Sequence, residues 1–155
     1  MRRDLKNRNI LVVGGAGFIG SHLVDALTAT GGNAVYVMDN MFLGRESNLA
    51  QAMEKGVVLY KDDAEIKTSV QAIIRRHKID VVFNLATKAL NYSFFNPQNA
   101  FMTNVAVLSN LLELQRDHEF ESLCHYSSSE IYGSAVYDPM DEKHPMNPTT
   151  TYAAG

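Results

Sequence analysis

Three glycines near the start of the chain have a spacing that suits phosphate binding. Gly14, Gly17 and Gly20 stand at every third position, directly after the apolar run at 10–13. A strand that ends in glycines and continues as a helix leaves N–H groups directed at one point, where a phosphate can bind. We expect Gly14 to permit a tight turn, Gly17 to let the backbone approach a pyrophosphate, and Gly20 to let the helix pack closely on the strand.

An acidic residue ends the next apolar run. Asp39 follows the run at 34–38 and lies ~20 residues beyond Gly20, as in dinucleotide-binding units. A carboxylate there can accept hydrogen bonds from both hydroxyls of an adenosine ribose and would repel a 2′-phosphate. No arginine follows directly, so the pattern favours NAD over NADP. The structural alternative is that Asp39 caps an Asx turn into Asn40.

Composition and charge exclude several functional classes. The 155 residues are 46% apolar and carry a net charge of −3, which is ordinary for one globular domain and gives no electrostatic footprint for nucleic acid. No apolar run is long enough to span a membrane, no secretory leader is recognisable, and we expect a cytoplasmic protein with no membrane partner. The single cysteine, Cys124, is predicted to be a small buried core residue.

Strand-like and helix-like runs alternate along the sequence. We predict strands at 9–14, 34–39, 57–61, 80–86 and 122–127, helices at 18–30, 65–77 and 97–118, and a short helical turn at 45–52. This alternation predicts an α/β fold, a Rossmann-type doubly wound parallel sheet. Prolines and polar residues predict a loop at 133–151. Because a new helix begins at Tyr152 and only a few residues follow it, we expect the sheet to be incomplete at its C-terminal end.

Linked motifs cover nearly the whole chain and resemble one family. They are Gly14-Gly15-Ala16-Gly17-Phe18-Ile19-Gly20, Asp39-Asn40 with Gly44 and Asn48-Leu49, Asp62-Asp63-Ala64, Asn84-Leu85-Ala86, Asn104-Val105, Ser127-Ser128-Ser129-Glu130-Ile131-Tyr132-Gly133 and Tyr152-Ala153-Ala154-Gly155. Together they resemble the extended short-chain dehydrogenase/reductase family, specifically its NAD-dependent nucleotide-sugar epimerases and dehydratases. Residues 1–155 would then be a partial NAD-binding Rossmann domain, without the C-terminal portion that binds the nucleotide sugar.

The resemblance also implies which residues contact the cofactor. The glycine motif would hold the pyrophosphate, the second motif the ribose, the third the adenine, and the later ones the nicotinamide half. The implied cofactor-binding residues are Gly14, Gly17, Phe18, Ile19, Gly20, Asp39, Asn40, Gly44, Asp63, Ala64, Leu85, Ala86, Asn104 and Tyr152. The five histidines show no metal-ligand spacing, and no metal site is predicted.

Three residues are the catalytic candidates that the resemblance implies. Tyr152 would take the proton of a sugar hydroxyl, usually at C4, while the hydride passes to NAD. A free tyrosine has a pKa of about 10, so a lysine one helical turn later would have to stabilise the phenolate. That lysine would be residue 156, and we expect the chain as given to be inactive. Ser128 would orient the hydroxyl, with capping of a strand end as its structural alternative.

Glu130 is the candidate that bears on the type of reaction. A carbonyl formed at C4 acidifies the C5 proton, which a carboxylate could remove as dehydratases require. Epimerase-like members also resemble Ser-Ser-Glu at this point, and decarboxylases of the same family remain an alternative. Asn84 stands in place of a usual histidine and Val107 in place of a usual glycine.

The sequence leaves several hypotheses open. The first is an epimerase or dehydratase whose substrate is a nucleotide-diphosphate sugar. The second is an NAD-binding module without catalysis, and the third is a regulatory relative that binds NAD as a signal. The resemblance implies a homodimer formed partly through the helix at 97–118. Tyr92, Phe94 and Phe95 form an aromatic cluster that we expect to pack in the core, with contacts to substrate from a loop as the alternative.

Overall fold

Five parallel strands form one sheet in the computed structural model, which describes residues 5–155. The strand order is β3-β2-β1-β4-β5. The strands are β1 (Asn9–Val13), β2 (Ala34–Met38), β3 (Val58–Tyr60), β4 (Val81–Asn84) and β5 (Ser122–His125). The helices are α1 (Phe18–Ala29), α2 (Ala50–Glu54), α3 (Lys67–His77), α4 (Leu90–Ser93), α5 (Pro97–Arg116) and α6 (Thr151–Ala154), with 3-10 turns at Glu46–Leu49 and Ser129–Tyr132.

The first strand lies at the centre of the sheet. Ile10 is in register with Val35 on one side and with Val81 on the other. Its apolar run at 10–13 is almost fully buried, as expected for a parallel strand covered on both faces. The order reverses direction at β1, because β2 and β3 lie on one side of it and β4 and β5 on the other. Ligands of open α/β sheets bind at the carboxyl ends of the strands beside such a reversal.

Alternate side chains along the strands belong to two apolar layers, one on each face of the sheet. On one face Ile10 and Val12 pack with α1 and with Leu49. On the opposite face Leu11 and Val13 pack with the apolar sides of α3 and α5. The period-two pattern of β1 thus anchors helices on both faces, which is the doubly wound arrangement.

The described residues form two compact units. The first contains the chain up to Ala86 together with Val107–His125, and so holds the whole sheet. The second contains Thr87–Ala106 and Tyr126–Gly155. Within the second unit, α6 lies against α4 and against the 3-10 turn at Ser129–Tyr132.

A buried histidine organises the long loop of the second unit. His144 is 2% exposed, and its Nε2 accepts the Val136 N–H at 2.9 Å. Its Nδ1 therefore donates to the Pro145 carbonyl, 3.0 Å away. The ring also contacts Tyr132 and Tyr137. This segment has no regular element, as predicted, but it is an ordered turn built around one side chain.

The predicted fold class and the five predicted strands are confirmed, with ends that differ by one or two residues. Two predictions of burial are wrong. Cys124 is exposed, because β5 is the last strand of the described sheet. Phe94 and Phe95 are also exposed, at 67% and 83%, because they follow the short α4 instead of facing a core. Within residues 5–155, no helix combines the length and apolar character that crossing a bilayer requires.

Candidate cofactor site and active-site residues

The glycines between β1 and α1 differ in the space around them. Gly14 has φ +78°, and a β-carbon there would lie 2.7 Å from the Ala86 backbone nitrogen. A β-carbon on Gly20 would lie 2.3 Å from the Gly14 carbonyl oxygen, so α1 packs on the loop through the absence of a side chain. At Gly17 the nearest atom would be 3.4 Å away, which is ordinary contact. Gly17 is also the N-cap residue of α1, so it borders the open N–H groups of the first turn.

Asp39 lies at the end of β2 and is 8% exposed. One carboxylate oxygen accepts the Ala16 N–H at 2.9 Å, and the other accepts the Met41 N–H at 2.9 Å. The second bond is the Asx turn that the sequence left open as an alternative, and Asn40 forms a similar bond with the Phe42 N–H. Each carboxylate oxygen can accept more than one hydrogen bond, so the turn leaves acceptor capacity for a ligand.

The backbone of Ala16 joins the glycine loop to the loop after β2. Its N–H donates to Asp39, while its carbonyl accepts from the Arg45 N–H at 3.0 Å and from Asn48 Nδ2 at 2.9 Å. Gly44 completes the contact, since a β-carbon there would lie 2.6 Å from an oxygen of Asp39. These bonds fix Asp39 relative to the N-terminus of α1.

The segment after β3 brings Asp63 to the same loop. One oxygen of Asp63 accepts from Asn40 Nδ2 at 3.1 Å, and the other accepts the Glu65 N–H at 2.9 Å. Ala64 is 6% exposed and belongs to the apolar layer of α3 and α5. Asn110 of α5 holds the carbonyls of Ala64 and Glu65, a contact that sequence reasoning missed. Its only signal was a polar residue among the apolar positions of the helix.

The end of β4 carries a buried amide in place of the expected histidine. Asn84 is 1% exposed, and its Oδ1 accepts the Ala86 N–H at 3.2 Å. Its Nδ2 therefore faces His125 Nδ1, 3.0 Å away, which must act as the acceptor and leaves the imidazole neutral. Partial burial lowers the pKa of His125 below its usual value, in agreement with this neutral form. Leu85 continues the pairing beyond β4, because its N–H donates to the Val13 carbonyl.

In the second unit, Asn104 fixes the segment that follows Ala86. Its Oδ1 accepts the Lys88 N–H at 2.9 Å and the Thr87 hydroxyl at 3.2 Å. The Lys88 ammonium lies 5.4 Å from the centre of the Tyr92 ring. Asn104 thus positions the start of the segment by accepting from the backbone of Lys88 and from the side chain of Thr87.

The three catalytic candidates belong to this second unit. Ser128 Oγ accepts the Glu130 N–H at 3.3 Å, so the capping role considered for Ser128 is present. Tyr152 lies in α6, whose first turn is capped by Thr150 Oγ1 accepting the Ala153 N–H at 3.0 Å. Because α6 lies against the turn at Ser129–Tyr132, the fold brings Tyr152 near the segment that carries Glu130.

Comparison with known proteins places these features in a family. The sequence matches the family described as GDP-mannose 4,6 dehydratase over residues 11–155. It is 34% identical over 144 residues to a UDP-glucose 4-epimerase of Lactobacillus helveticus, covering 92% of this chain and 42% of that protein. It is 34% identical over 137 residues to UDP-glucuronic acid decarboxylase 4 of Arabidopsis thaliana, covering 87% of this chain and 29% of that protein.

A solved structure gives the same result for the fold. The UDP-glucose-4-epimerase of Stenotrophomonas maltophila, with bound NAD and formylated UDP-arabinopyranose, superposes with a TM-score of 0.86 at 27% identity. The superposition covers 95% of this chain and 45% of that one. The chain thus spans less than half the length of these relatives. It belongs to the GDP-mannose 4,6 dehydratase family, among the nucleotide-sugar epimerases and dehydratases of the extended short-chain dehydrogenase/reductases.

Proposed function

We propose that this chain is the NAD-binding part of a nucleotide-sugar epimerase or dehydratase that acts by transient oxidation of the sugar at C4. The observation that carries the proposal is the fixed position of Asp39 at the glycine loop, through its hydrogen bond with the Ala16 N–H. A buried carboxylate beside a helix N-terminus combines an acceptor for ribose hydroxyls with a site for pyrophosphate. The epimerase relatives and the NAD in a solved neighbour support the same reading.

The donor and acceptor groups of the first unit fit NAD. Gly17 leaves room for the pyrophosphate, because no atom beyond the residue itself and its chain neighbours lies closer than 3.4 Å to the position that a β-carbon would take. Asp39, with Asn40 and Gly44, would hold the ribose, and Asp63 with Ala64 the adenine. The remaining proposed contacts of this unit are Gly14, Phe18, Ile19, Gly20, Leu85 and Ala86. Asn104 and Tyr152, proposed as further cofactor contacts, belong to the second unit. When bound, NAD supplies a nicotinamide ring that accepts a hydride from the sugar.

The second unit would supply the groups that act on the sugar hydroxyl. Tyr152 would take the hydroxyl proton as general base, and Ser128 would hold the same hydroxyl through its Oγ. In this role Ser128 accepts from the Glu130 N–H and donates its own proton elsewhere, so capping and substrate orientation are compatible. Glu130 would remove the C5 proton in a dehydratase. In an epimerase it would have no such step to perform.

Beside dehydration, the relatives point to epimerisation, which lies within this proposal, and to decarboxylation, which is an alternative to it. The epimerase relative favours inversion at C4. The decarboxylase relative, at equal identity, favours oxidation at C4 followed by loss of a neighbouring carboxylate as carbon dioxide. Assay of the protein with UDP-glucose and with UDP-glucuronic acid in the presence of NAD distinguishes them by product.

Calorimetric titration with NAD, beside the intact mass of the purified protein, is the first experiment. We expect saturable NAD binding by the wild-type chain and at least about tenfold weaker binding by Asp39→Ala, because the ribose loses a charged acceptor. Thr30→Ala is the control, since it removes a side-chain hydrogen bond to the Ala26 carbonyl at the exposed end of α1. Wild-type protein of the correct mass that binds no NAD would refute the proposal.

A second candidate is an NAD-binding module without catalysis. It is favoured by Asp39, whose hydrogen bond with the glycine loop lies wholly within the first unit and involves none of the catalytic candidates. Both candidates predict that the chain as given binds NAD without turnover, so turnover is measured in a form extended to residue 156 and beyond. Absence of turnover in that form would support the module. Turnover that is lost in Tyr152→Phe, with NAD affinity retained, would support the enzyme.

A further inference from the structure

Asn110 of α5 makes two hydrogen bonds with the segment 62–66. Its Nδ2 donates to the Ala64 carbonyl at 3.0 Å and to the Glu65 carbonyl at 2.9 Å. Both partners are acceptors, so only the amide nitrogen of an asparagine can serve them. The side chain is half-buried on a helix whose neighbouring residues Val107 and Leu111 are buried. The contact therefore joins a rigid helix to two consecutive peptide groups of a loop.

The segment that Asn110 holds is connected on its other side to the loop after β2. Asp63 accepts from Asn40 Nδ2 through one oxygen and from the Glu65 N–H through the other. Ala64 packs into the same apolar layer as Leu111. The position of the Asp63 carboxylate is thus set from three directions: by Asn40, by the apolar contact of Ala64, and by Asn110.

We propose that Asn110 is a positioning residue for recognition of the adenine ring. The inference rests on the proposed function, in which Asp63 and Ala64 border the adenine. The exocyclic amine of adenine is a donor that a carboxylate can accept. Hypoxanthine carries a carbonyl oxygen at that place, and a carboxylate repels it. By holding the carbonyls of Ala64 and Glu65, Asn110 keeps the carboxylate of Asp63 where it distinguishes the two bases.

The test compares the affinity of the chain for NAD with that for nicotinamide hypoxanthine dinucleotide. We expect the wild-type chain to prefer NAD by about tenfold, the factor that one charge-assisted hydrogen bond gives. In Asn110→Ala we expect the preference to fall to within about twofold, because the segment 62–66 is no longer held in one position. Loss of folded protein lowers both affinities equally and leaves their ratio unchanged, so the ratio reports positioning and not stability.

Glu119→Ala is the matched control. Glu119 accepts from Gln71 Nε2 and from Arg75, so it ties α3 to the chain after α5 at the opposite end of α3 from the segment 62–66. We expect this variant to keep the wild-type preference for NAD. Asn110→Asp is the second variant, since it places a negative oxygen against two carbonyls, and it should lose the preference as well.

The possible results test two separate statements, the role of Asn110 and the proposed function. If the wild-type chain binds NAD and Asn110→Ala retains the full preference over the hypoxanthine dinucleotide, the role of Asn110 is refuted while the proposed function stands. If the wild-type chain binds neither dinucleotide, the proposed function fails and this inference with it. A preference lost in both Asn110 variants and kept in Glu119→Ala supports the inference.

Discussion

At the scale of single residues, the space around each glycine of the β1–α1 loop distinguishes glycines needed for packing from a glycine that leaves room for a ligand. Gly20 has its neighbour's carbonyl oxygen where a β-carbon would stand, and Gly14 has a left-handed backbone as well as a close peptide. Gly17 has neither restriction. Packing does not require a glycine at position 17, the N-cap of α1. A glycine there is best explained by a ligand that approaches the loop from outside.

This difference predicts opposite effects of two alanine substitutions. Gly20→Ala should lower the free energy of unfolding by about 1–3 kcal/mol, because its β-carbon must displace backbone. Gly17→Ala should unfold almost like the wild type but bind NAD at least about tenfold more weakly, because its methyl group occupies the place of the pyrophosphate. Urea denaturation and calorimetry of both variants check this. Wild-type NAD affinity in Gly17→Ala would show that the pyrophosphate lies elsewhere.

His125 predicts how stability depends on pH. Partial desolvation of the ring lowers its pKa in the folded state, and the hydrogen bond from Asn84 requires Nδ1 to be unprotonated. As the pH falls, the unfolded chain therefore takes up the proton first, at about pH 6.5, and stability decreases from there towards the lowered pKa of the folded state. Above that window both states are neutral, and His125 adds no pH dependence.

Urea unfolding measured between about pH 7 and about pH 5 tests this sign. His125→Gln keeps an acceptor for Asn84 but does not titrate, so its loss of stability on acidification should be smaller. Part of the loss should remain, because burial and the nearby Arg76 also lower the pKa of His77. An equal or steeper loss in His125→Gln would contradict the assignment.

The sequence indicated which polar residues lie in the loops but did not indicate the groups that they contact. Asp39 was identified from its place after an apolar run, and both of its proposed roles depend on the same carboxylate. Its bond to the Ala16 N–H was not predictable, because it depends on how two loops distant in sequence meet. Asn110 and His125 were missed for the same reason, since their partners come from other elements.

At the scale of elements, the glycine loop and the loop after β2 behave as one structural piece joined at Ala16. Three hydrogen bonds converge on the backbone N–H and carbonyl of that residue. The 3-10 turn at Glu46–Leu49 contributes through Asn48 and through Leu49, which is fully buried against the α1 side of the sheet. The turn therefore supports Asp39 through Ala16.

Asn48→Ala tests this coupling. It removes the bond from Nδ2 to the Ala16 carbonyl but leaves the bond from the Arg45 N–H, so we expect a loss of about 1 kcal/mol in the free energy of unfolding. NAD binding should weaken in the same variant, because Asp39 is held less firmly. Thr30→Ala again serves as the control, with no loss of NAD affinity expected. Equal NAD affinity in Asn48→Ala and the wild type would show that the turn does not contribute to NAD binding.

Periodicity predicted the long elements because their own sequences determine them. Strand β1 and helices α1, α3 and α5 have apolar positions at the spacing of their element, and all were found within a few residues. The short α4 and the 3-10 turn at Ser129–Tyr132 were missed. Elements of one turn contain too few residues to show a period, and capping by Ser128 in the second case depends on local geometry.

At the scale of the whole molecule, the exposed surface of α5 is the feature with a consequence for assembly. Met102, Val105 and Leu112 are 54%, 39% and 49% exposed. Their spacing of three and seven residues places them on one side of the helix. A row of exposed apolar side chains on the longest helix is a typical surface for association. The sequence resemblance implied a dimer through this helix, and that prediction is still open.

We expect the chain to form a dimer through α5 at high protein concentration. Replacing Met102 and Leu112 together by glutamate should weaken association at least about tenfold, because charge then replaces apolar surface at the centre of the contact. Sedimentation equilibrium over a range of concentrations measures this. Val136→Glu is the control, since Val136 is 71% exposed and lies outside α5, in the loop held by His144. A wild-type chain that sediments as a monomer throughout, or a double variant that associates like the wild type, would exclude α5 as the interface.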